Sequence, residues 1–259
     1  MGGLKIKISK AAETLGIEEM LALPDVFSGA GARIIKSSAS SAIGVRKLGD
    51  VELLVKRFNY KGALHSLARR IAGSRAKSLF KRSEALFEKG LPVPEPLAYA
   101  EGSRVSYFVS RYVSAVNDLG NLSKERGLKT FPALAASLAK AVVAFHVAGA
   151  VHGDLKWTNI LMLEGSGKKG FEFCFVDIDQ TRLCRSFDRK GAAADLTAFV
   201  GYGMRMNERE WVEGEFLPAY ERELSSKAGQ GVDMGLVVKT ASARYAAWKK
   251  RQKTARHGG

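Results

Sequence analysis

The spacing of apolar residues changes along this chain, from a period of two in the first part to a helical period in the second. Apolar and basic residues alternate at positions 4–8, which predicts a β-strand. Further strands are predicted at 32–36, on both sides of a tight turn at 49–50, and at 97–100 and 105–109. The first part of the chain is therefore expected to be rich in β-structure.

Apolar residues at helical spacing predict helices at four places. A short one is expected at 13–23, and a strongly basic one within 60–89, which the proline-rich segment LPVPEP ends. The other two are expected at 131–148 and 211–224. The basic tail at 249–259 is predicted to be disordered, since nothing in its pattern requires packing.

The composition is that of a globular protein, with 46% hydrophobic residues in a chain of 259, enough for one large domain or two small lobes. Lys and Arg (41) outnumber Asp and Glu (26), which gives a formal net charge of +15. This excess indicates an anionic partner: a nucleotide, a nucleic acid, an acidic glycolipid or a membrane surface. A basic surface without such a partner is the alternative.

Two features bear on the compartment. The N-terminal stretch carries acidic residues early and has no long apolar segment, which is unlike a secretory signal. No window approaches the ~18 apolar residues of a membrane span. We therefore expect a cytoplasmic protein. Of its two cysteines, Cys174 lies in an apolar run and is predicted to be a core residue, without a disulfide or metal shared with Cys184.

The clearest chemical signal lies between residues 144 and 177. A His-Gly-Asp sequence places Asp154 on a short loop, Asn159 follows it, and the apolar run at 171–176 ends at Asp177. An ATP-dependent phosphotransferase needs a carboxylate near the acceptor hydroxyl, an amide oxygen that can ligate Mg²⁺ and a further carboxylate on the metal. These three residues have that chemistry in that order. A buried polar turn with scattered acids is the alternative.

The sequence HGDLKWTNIL resembles the catalytic-loop signature H-R-D-L-x-x-x-N of the protein-kinase-like superfamily, with Gly153 in place of the Arg. Together with LLVKRFNYKG, GLPVPEPLAY and FVDIDQTR, it most resembles the bacterial lipopolysaccharide kinase family, whose members phosphorylate Kdo or heptose in the inner core. The resemblance spans about residues 33–220. It implies an α+β, two-lobed protein-kinase-like fold, with a β-rich N-lobe at 1–113 and a mainly helical C-lobe at 114–259.

The resemblance also implies roles for residues of the C-lobe. Asp154 is the expected catalytic base, or the residue that aligns the acceptor hydroxyl, and Lys156 is expected to neutralise charge on the moving phosphoryl group. Asn159 and Asp177 are the expected Mg²⁺ ligands, with Asp179 as a competitor for the metal.

Three further residues have expected structural roles: His146, His152 and Asp195. His146 is expected to be a packed core histidine, and His152 is expected to support the catalytic loop through hydrogen bonds. The acid resembles the helix-borne Asp that hydrogen-bonds the catalytic-loop backbone in this superfamily, and a plain helix cap is its alternative.

In the N-lobe, Lys56 closes an apolar run where the ATP-binding lysine of this superfamily belongs. A Glu on the basic helix should pair with it, and of the two available acids, Glu84 and Glu88, we favour Glu84. The other candidate nucleotide contacts are Ser40, Ser41, Tyr112 and Val113. The serines lie in a small-residue stretch that could cover the phosphates, and the last two lie at the expected hinge, where backbone groups would bind adenine. Taken alone, an exposed strand-end lysine and an ordinary hairpin are the alternatives.

These features predict transfer of the γ-phosphate of ATP, with Mg²⁺, to a heptose or Kdo hydroxyl of the lipopolysaccharide inner core, at the cytoplasmic face of the inner membrane. A protein Ser/Thr or a free small molecule is the alternative acceptor. A nucleic-acid-binding or scaffold protein with a degenerate kinase fold is a different class, disfavoured because no key residue of the motif is missing.

The excess of positive charge is concentrated in two places, the basic helix and the tail at 249–259. Either could contact phosphorylated glycolipid or an anionic membrane surface, and either could be an ordinary solvated face. The cations of the helix are Arg69, Arg70, Arg75, Lys77, Lys81 and Arg82.

Overall fold

Two compact units, Met1–Val113 and Ser114–Gly259, make up the chain in this computed structural model. The structure describes residues 4–60, 73–163, 170–229 and 231–257. The first unit is built on an antiparallel β-sheet, and the second is mainly helical. The predicted α+β architecture, with β-structure first and helices second, is confirmed.

The first unit contains a six-stranded antiparallel sheet in the order β1-β5-β6-β4-β3-β2. Every strand that alternation predicts is present, and the central strand β4 continues to Asn59. The strands are β1 (Lys5–Ile8), β2 (Ala32–Ser37), β3 (Ser41–Leu48), β4 (Val51–Asn59), β5 (Pro96–Glu101) and β6 (Val105–Arg111). The described part of this unit also contains the helices α1 (Ile17–Ala22) and α2 (Arg75–Glu88).

The two faces of the sheet carry different side chains. On one face, the buried Leu53 of β4 packs in a cluster with residues of α1 and the segment after it. Arg57 lies on this face too, with its guanidinium 5.4 Å from the centre of the Phe27 ring. Because side chains alternate along a strand, Lys56 lies on the opposite face. Its Nζ is 5.6 Å from the centre of the Phe58 ring.

Helix α2 begins beside the Lys56 face of the sheet. Ser74 caps its N-terminus, since the Ser74 hydroxyl accepts a hydrogen bond of 3.0 Å from the backbone N–H of Lys77. The guanidinium of Arg75 lies 4.7 Å from the centre of the Phe58 ring. The predicted basic helix is described only from this point, and its earlier part at 61–72, with Arg69 and Arg70, lies outside the described residues.

The second unit contains five helices and two small sheets, ordered β10-β9-β7 and β11-β8, within the ranges described above. The helices are α3 (Leu119–Arg126), α4 (Leu134–Val147), α5 (Arg189–Arg205), α6 (Leu217–Ala228) and α7 (Met234–His257). A short turn of helix (Arg209–Trp211) and a π-helical turn (Val212–Phe216) lead directly into α6. The strands are β7 (Ala115–Asp118), β8 (Ala150–Val151), β9 (Ile160–Leu163), β10 (Phe173–Phe175) and β11 (Arg182–Leu183).

An aromatic cluster fixes the segment after β8 against the helices. Trp157 is fully buried, and its ring centre lies 5.4 Å from that of Phe199 on α5 and 6.0 Å from that of Trp211. Phe199 in turn stacks on Phe216 at 4.2 Å. The buried ring of Trp157 thereby anchors the segment between β8 and β9 in the core.

Three sequence predictions about the helices need correction. The first helix starts only at Ile17, because Gly16 before it has a left-handed φ of +68°. The helix predicted at 131–148 likewise starts later, at Leu134. The tail predicted to be disordered is instead helical and forms the end of α7. This helix packs on α5 through the buried Val237 and Ala241, and its later half is rich in Ala, Lys and Arg, which favour helix.

Among the described residues, no helix combines the length and the apolar character that crossing a membrane requires.

Candidate active site

The loop between β8 and β9 has a backbone shape that requires glycine at one position. Gly153 has a φ of +80°, and a Cβ placed there would lie 2.9 Å from the carbonyl oxygen of Gln180. Both facts exclude the arginine that protein kinases carry at this point, because a side chain would be strained and would collide with backbone. Glycine is thus required at position 153, because the catalytic loop closely approaches the segment that contains Gln180.

Three of the predicted site residues meet on this loop. Lys156 Nζ lies 2.7 Å from Oδ2 of Asp154 in a half-buried ion pair. The Asn159 side-chain amide donates to the backbone carbonyl of Asp154 at 3.0 Å and reaches its Oδ2 at 3.3 Å. The carboxylate of Asp154 is therefore held from two sides, while 31% of its side chain is still exposed to solvent.

Asp177 lies next to this loop through a backbone contact. The backbone N–H of Val176 donates to the carbonyl of Asn159 at 2.9 Å, so the residue after β10 is joined to the residue before β9. Asp177 follows immediately and has a left-handed φ of +57°, uncommon for a residue other than glycine. The chain therefore turns away from the direction of β10 at Asp177. Strained backbone conformations of this kind cluster at functional sites.

The chemistry of these side chains fits a hard divalent cation. Since Asn159 donates through its nitrogen, its amide oxygen takes no part in these two hydrogen bonds, and Asp177 supplies a carboxylate directly after Val176, whose backbone is bonded to that of Asn159. Within the described ranges, no group of three or more His, Cys, Asp and Glu residues is arranged to hold a metal. A pair of oxygen ligands is nevertheless typical of Mg²⁺, which keeps waters and phosphate oxygens in its shell.

His152 is buried and has a defined tautomer. Its Nε2 lies 3.1 Å from the carbonyl oxygen of Val176, to which it donates, so Nε2 carries the proton. Its Nδ1 accepts a hydrogen bond of 3.3 Å from the backbone N–H of Asp154. Burial lowers the pKa of His152, against smaller opposing effects of Asp195 and of the Val176 carbonyl. The imidazole is therefore neutral at pH 7, and it links the catalytic loop to the segment that carries Asp177.

Asp195 on α5 forms hydrogen bonds with the backbone of the same loop, as the sequence predicts. Its two carboxylate oxygens accept backbone N–H groups, from His152 at 2.6 Å and from Gly153 at 2.8 Å. Oδ2 also lies 3.3 Å from Nε2 of His146, which is buried in the last turn of α4. The alternative of a plain helix cap is excluded, since Asp195 lies inside α5 and binds another segment.

Two residues that sequence reasoning missed complete the network. The Tyr220 hydroxyl on α6 lies 2.7 Å from Nδ1 of His146, and burial raises the pKa of Tyr220. Thr181 donates from its hydroxyl to the backbone carbonyl of His152 at 3.2 Å. Neither residue has a local motif, so only the fold relates them to the loop.

The candidate phosphate contacts Lys56, Ser40 and Ser41 lie on strand β4 and at the β2–β3 hairpin of the first unit. Ser40 is in the turn between β2 and β3, and Ser41 is the first residue of β3, where its backbone N–H donates to the Ser38 hydroxyl at 3.1 Å. The carbonyl of Ser40 accepts from the N–H of Asn59 at 2.9 Å, which ties this turn to the end of β4. The serine-rich stretch is thus an ordered hairpin tip beside the strand that carries Lys56.

Two predictions about the first unit change. The Glu84 carboxylate forms its ion pair with Lys7 of the edge strand β1, at 3.6 Å. Since β5 and β6 separate β1 from β4, the predicted Lys56–Glu84 pair is wrong. The backbone N–H of Tyr112 donates a hydrogen bond of 2.9 Å to the backbone carbonyl of Glu52. This N–H is therefore already used within the first unit. Of the hinge groups proposed for adenine, the Tyr112 carbonyl and the backbone of Val113 remain candidates.

A loop in which Asp, Lys and Asn converge, held by an Asp on a core helix and placed after an antiparallel sheet unit, defines a kinase-like phosphotransferase fold. The comparisons with known proteins agree. The model of the lipopolysaccharide kinase (Kdo/WaaP) family matches residues 39–220, and the chain belongs to this family. It is therefore a kinase of lipopolysaccharide biosynthesis.

Among solved structures, the chain resembles one described as WaaP in complex with acyl carrier protein, with a TM-score of 0.62. The two share 17% sequence identity, and the match covers 96% of this chain and 97% of that one. At this identity the likeness is evidence for the fold alone. The comparison with curated proteins gave no significant match.

Proposed function

We propose that this protein transfers the γ-phosphate of ATP to a hydroxyl group of a heptose or Kdo sugar in the lipopolysaccharide inner core. The observation that carries the proposal is the geometry of Asp154, whose carboxylate is fixed by Lys156 and Asn159 yet remains open to solvent on one side. Membership of the lipopolysaccharide kinase family supports the class of acceptor.

Asp154 acts by position more than by basicity. An ordinary Asp has a pKa of ~3.9, too low to deprotonate a sugar hydroxyl before the phosphoryl group moves. Held in one rotamer, it can accept a hydrogen bond from the hydroxyl, orient it for in-line attack and take the proton late in the reaction. Lys156 fixes the position of the carboxylate through their ion pair and places a positive charge beside the reacting atoms.

Asn159 and Asp177 are the residues that would hold Mg²⁺, which supplies charge neutralisation on the phosphates when bound. Their oxygen ligands and their joined backbones support this assignment. Asp195, His152 and Gly153 have a different part: they set the shape of the loop that carries Asp154 and Asn159.

For the nucleotide, we propose that Lys56 pairs with the α- and β-phosphates. Its place on a central strand supports this, because the backbone there is hydrogen-bonded on both sides, to β3 and to β6. The hairpin tip with Ser40 and Ser41 is the proposed phosphate cover, and the Val113 backbone is the proposed adenine contact. We propose that the reaction takes place at the cytoplasmic face of the inner membrane, where the core sugar is attached to its lipid.

A comparison of acceptors tests the function. The purified protein is incubated with γ-labelled ATP and Mg²⁺, and with dephosphorylated lipopolysaccharide core, free heptose, free Kdo or casein in parallel. We expect label in the core oligosaccharide and none in the other three. Label in casein, or in a free sugar at a higher rate than in the core, would instead identify one of the alternative acceptors.

Asp154→Asn is the matched control for each arm, because it keeps the size of the side chain and removes its charge. Label that this variant incorporates as fast as the wild-type protein does not depend on Asp154. Mass spectrometry of the labelled core then checks the product, which should be heavier by one phosphate, ~80 Da.

A further inference from the structure

The C-terminal part of helix α7 carries positive charges and no negative ones. Its sequence from residue 234 to residue 257 contains no Asp or Glu. Seven Lys and Arg residues lie along it, at positions 239, 244, 249, 250, 251, 253 and 256. Within the parts of the chain that the structure describes, no carboxylate forms an ion pair with Arg244, Lys249, Lys250 or Arg251, and all four are exposed.

The charged end of α7 differs from its beginning in how it packs. The first half is anchored on α5 through Val237 and Ala241, which are buried, and Ser242 lies 4.0 Å from the sulfur of Met204. Residues 249–252 are all exposed. At 1.5 Å per residue, the part of the helix after Trp248 is about 13 Å long. Such a helical extension without an apolar face contributes little to folding, so its charge requires another explanation.

Two aromatic rings lie where the packed half of α7 meets its charged half. Tyr245 and Trp248 stack at 5.8 Å, with an angle of 18° between the rings. Arg205 on α5 lies 5.1 Å from the centre of the Trp248 ring, and Lys249 lies 5.3 Å from that of Tyr245. Both rings are only half-buried. Tyr and Trp at the border of a basic surface are the residues preferred at the boundary between membrane and water.

We propose that the C-terminal half of α7, from Arg244 onward, together with Arg205, docks this protein on an anionic lipid surface. The occupant is chosen by charge complementarity and, resting on the proposed function, by the acceptor, since lipopolysaccharide is a lipid with phosphorylated sugars. Lys249, Lys250 and Arg251 are successive exposed cations at the end of this helix, so it lies among the head groups and is held by charge, with the two rings at the interface.

Binding to vesicles tests the docking surface without ATP or an acceptor sugar, so its outcome does not depend on the kinase activity. Vesicles of phosphatidylethanolamine with about one third phosphatidylglycerol give a negative surface, and phosphatidylcholine vesicles give a neutral one. The wild-type protein should sediment with the first and not the second, and added salt should release it. The triple variant Lys249→Gln, Lys250→Gln, Arg251→Gln should bind about 100-fold more weakly, because each cation contributes about fivefold.

A control with the same loss of charge separates this surface from net charge in general. Lys124, Arg126 and Lys140 are exposed residues of the same unit, on α3 and α4. Their replacement by Gln should weaken vesicle binding less than about tenfold, since the charges lie outside the proposed surface. Equal losses in the two triple variants would overturn the proposal. Thermal melts of both variants verify that each is folded, and Gln preserves helix propensity at all six positions.

Tryptophan fluorescence gives a second, independent readout. Of the three tryptophans, Trp157 and Trp211 are fully buried, so a change on contact with lipid reports on Trp248. Anionic vesicles should shift the emission to shorter wavelength, and Trp248→Phe should abolish that shift. No shift in the wild-type protein, or binding to nucleic acid in preference to anionic vesicles, would contradict docking on lipid.

Discussion

Gly153, His152 and Asp154 are three successive residues, and each has a different physical task in the catalytic loop. The glycine permits a left-handed backbone against Gln180, the histidine bridges to the Val176 carbonyl, and the aspartate carries a carboxylate that is partly exposed to solvent. A substitution at the first two should therefore act through the shape and stability of the loop. A substitution at the third should act on the reaction itself.

Gly153→Ala tests the backbone requirement. A Cβ at a φ of +80°, 2.9 Å from a backbone oxygen, should lower the free energy of unfolding by about 1–3 kcal/mol and reduce activity. Gly201→Ala is the matched control, because Gly201 lies within α5 and nothing is within 4 Å of the position that a Cβ would take there. That variant should be neutral or more stable by up to about 1 kcal/mol. Equal melting temperatures of the two variants would contradict the assigned role of Gly153.

The protonation of His152 predicts a pH dependence of stability. Burial lowers the pKa of His152 in the folded protein, while the unfolded chain has the ordinary value of ~6.5. Below that pH the unfolded state binds more protons than the folded state, so stability falls as pH decreases from about 6.5 towards the lowered pKa. Above pH 6.5 this residue contributes no slope.

Thermal unfolding between pH 7.5 and about 5.5 measures this slope in a range where ordinary carboxylates titrate little. His152→Asn should lose part of the slope, because the titrating group is removed. A His152 variant with the slope of the wild-type protein would show that another group is responsible.

At the scale of elements, side chains from three helices form one series of hydrogen bonds that ends at the catalytic loop. Asp195 of α5 holds the loop backbone, His146 of α4 contacts Asp195, and Tyr220 of α6 contacts His146. All three side chains are buried, where an unsatisfied polar group is costly. The packing of α4, α5 and α6 is therefore coupled to the position of Asp154 through a short series of contacts.

Tyr220→Phe tests this coupling with little change in volume. Loss of the hydroxyl leaves Nδ1 of the buried His146 without its partner, which should cost about 1–3 kcal/mol in the free energy of unfolding. Tyr202→Phe is the control, since Tyr202 contacts Trp157 by ring packing. It should change stability by less than about 0.5 kcal/mol. Denaturant titrations of the two variants measure both values, and a neutral Tyr220→Phe would show that the network does not support the loop.

Elements with a local pattern could be predicted from the sequence, and pairings between distant elements could not. The strands of the first unit follow from alternation, and the hydrogen bonds of Asp195 follow from the motif. The predicted pair of Lys56 with Glu84 is wrong. The partner of Glu84 depends on which strand lies at the edge of the sheet beside α2, and that strand is β1, which carries Lys7. The disorder predicted for the tail is wrong because the tail continues a helix that is anchored on α5 by Val237 and Ala241, upstream of the basic segment.

At the scale of the whole molecule, the proposed nucleotide contacts and the catalytic loop belong to different units of one chain. The neighbours Lys56 and Arg57 allow the first unit to be tested by itself, since they lie on opposite faces of β4. Lys56→Met should raise the KM for ATP about tenfold or more, because a charge beside the phosphates is lost. Arg57→Met, which loses contacts with Phe27 and Asp25, should leave the KM for ATP nearly unchanged. Equal effects of the two substitutions on KM would contradict the role of Lys56.

The most direct test of phosphoryl transfer by this site compares Asp154→Asn with Asp177→Asn. Transfer of labelled phosphate from Mg·ATP to lipopolysaccharide core and equilibrium binding of Mg·ATP are measured for each variant. Asp154→Asn should reduce transfer by about 10²–10⁴-fold while nucleotide binding stays within about threefold of the wild-type value. Asp177→Asn should weaken the metal-dependent part of nucleotide binding itself. Wild-type transfer by Asp154→Asn would contradict the account.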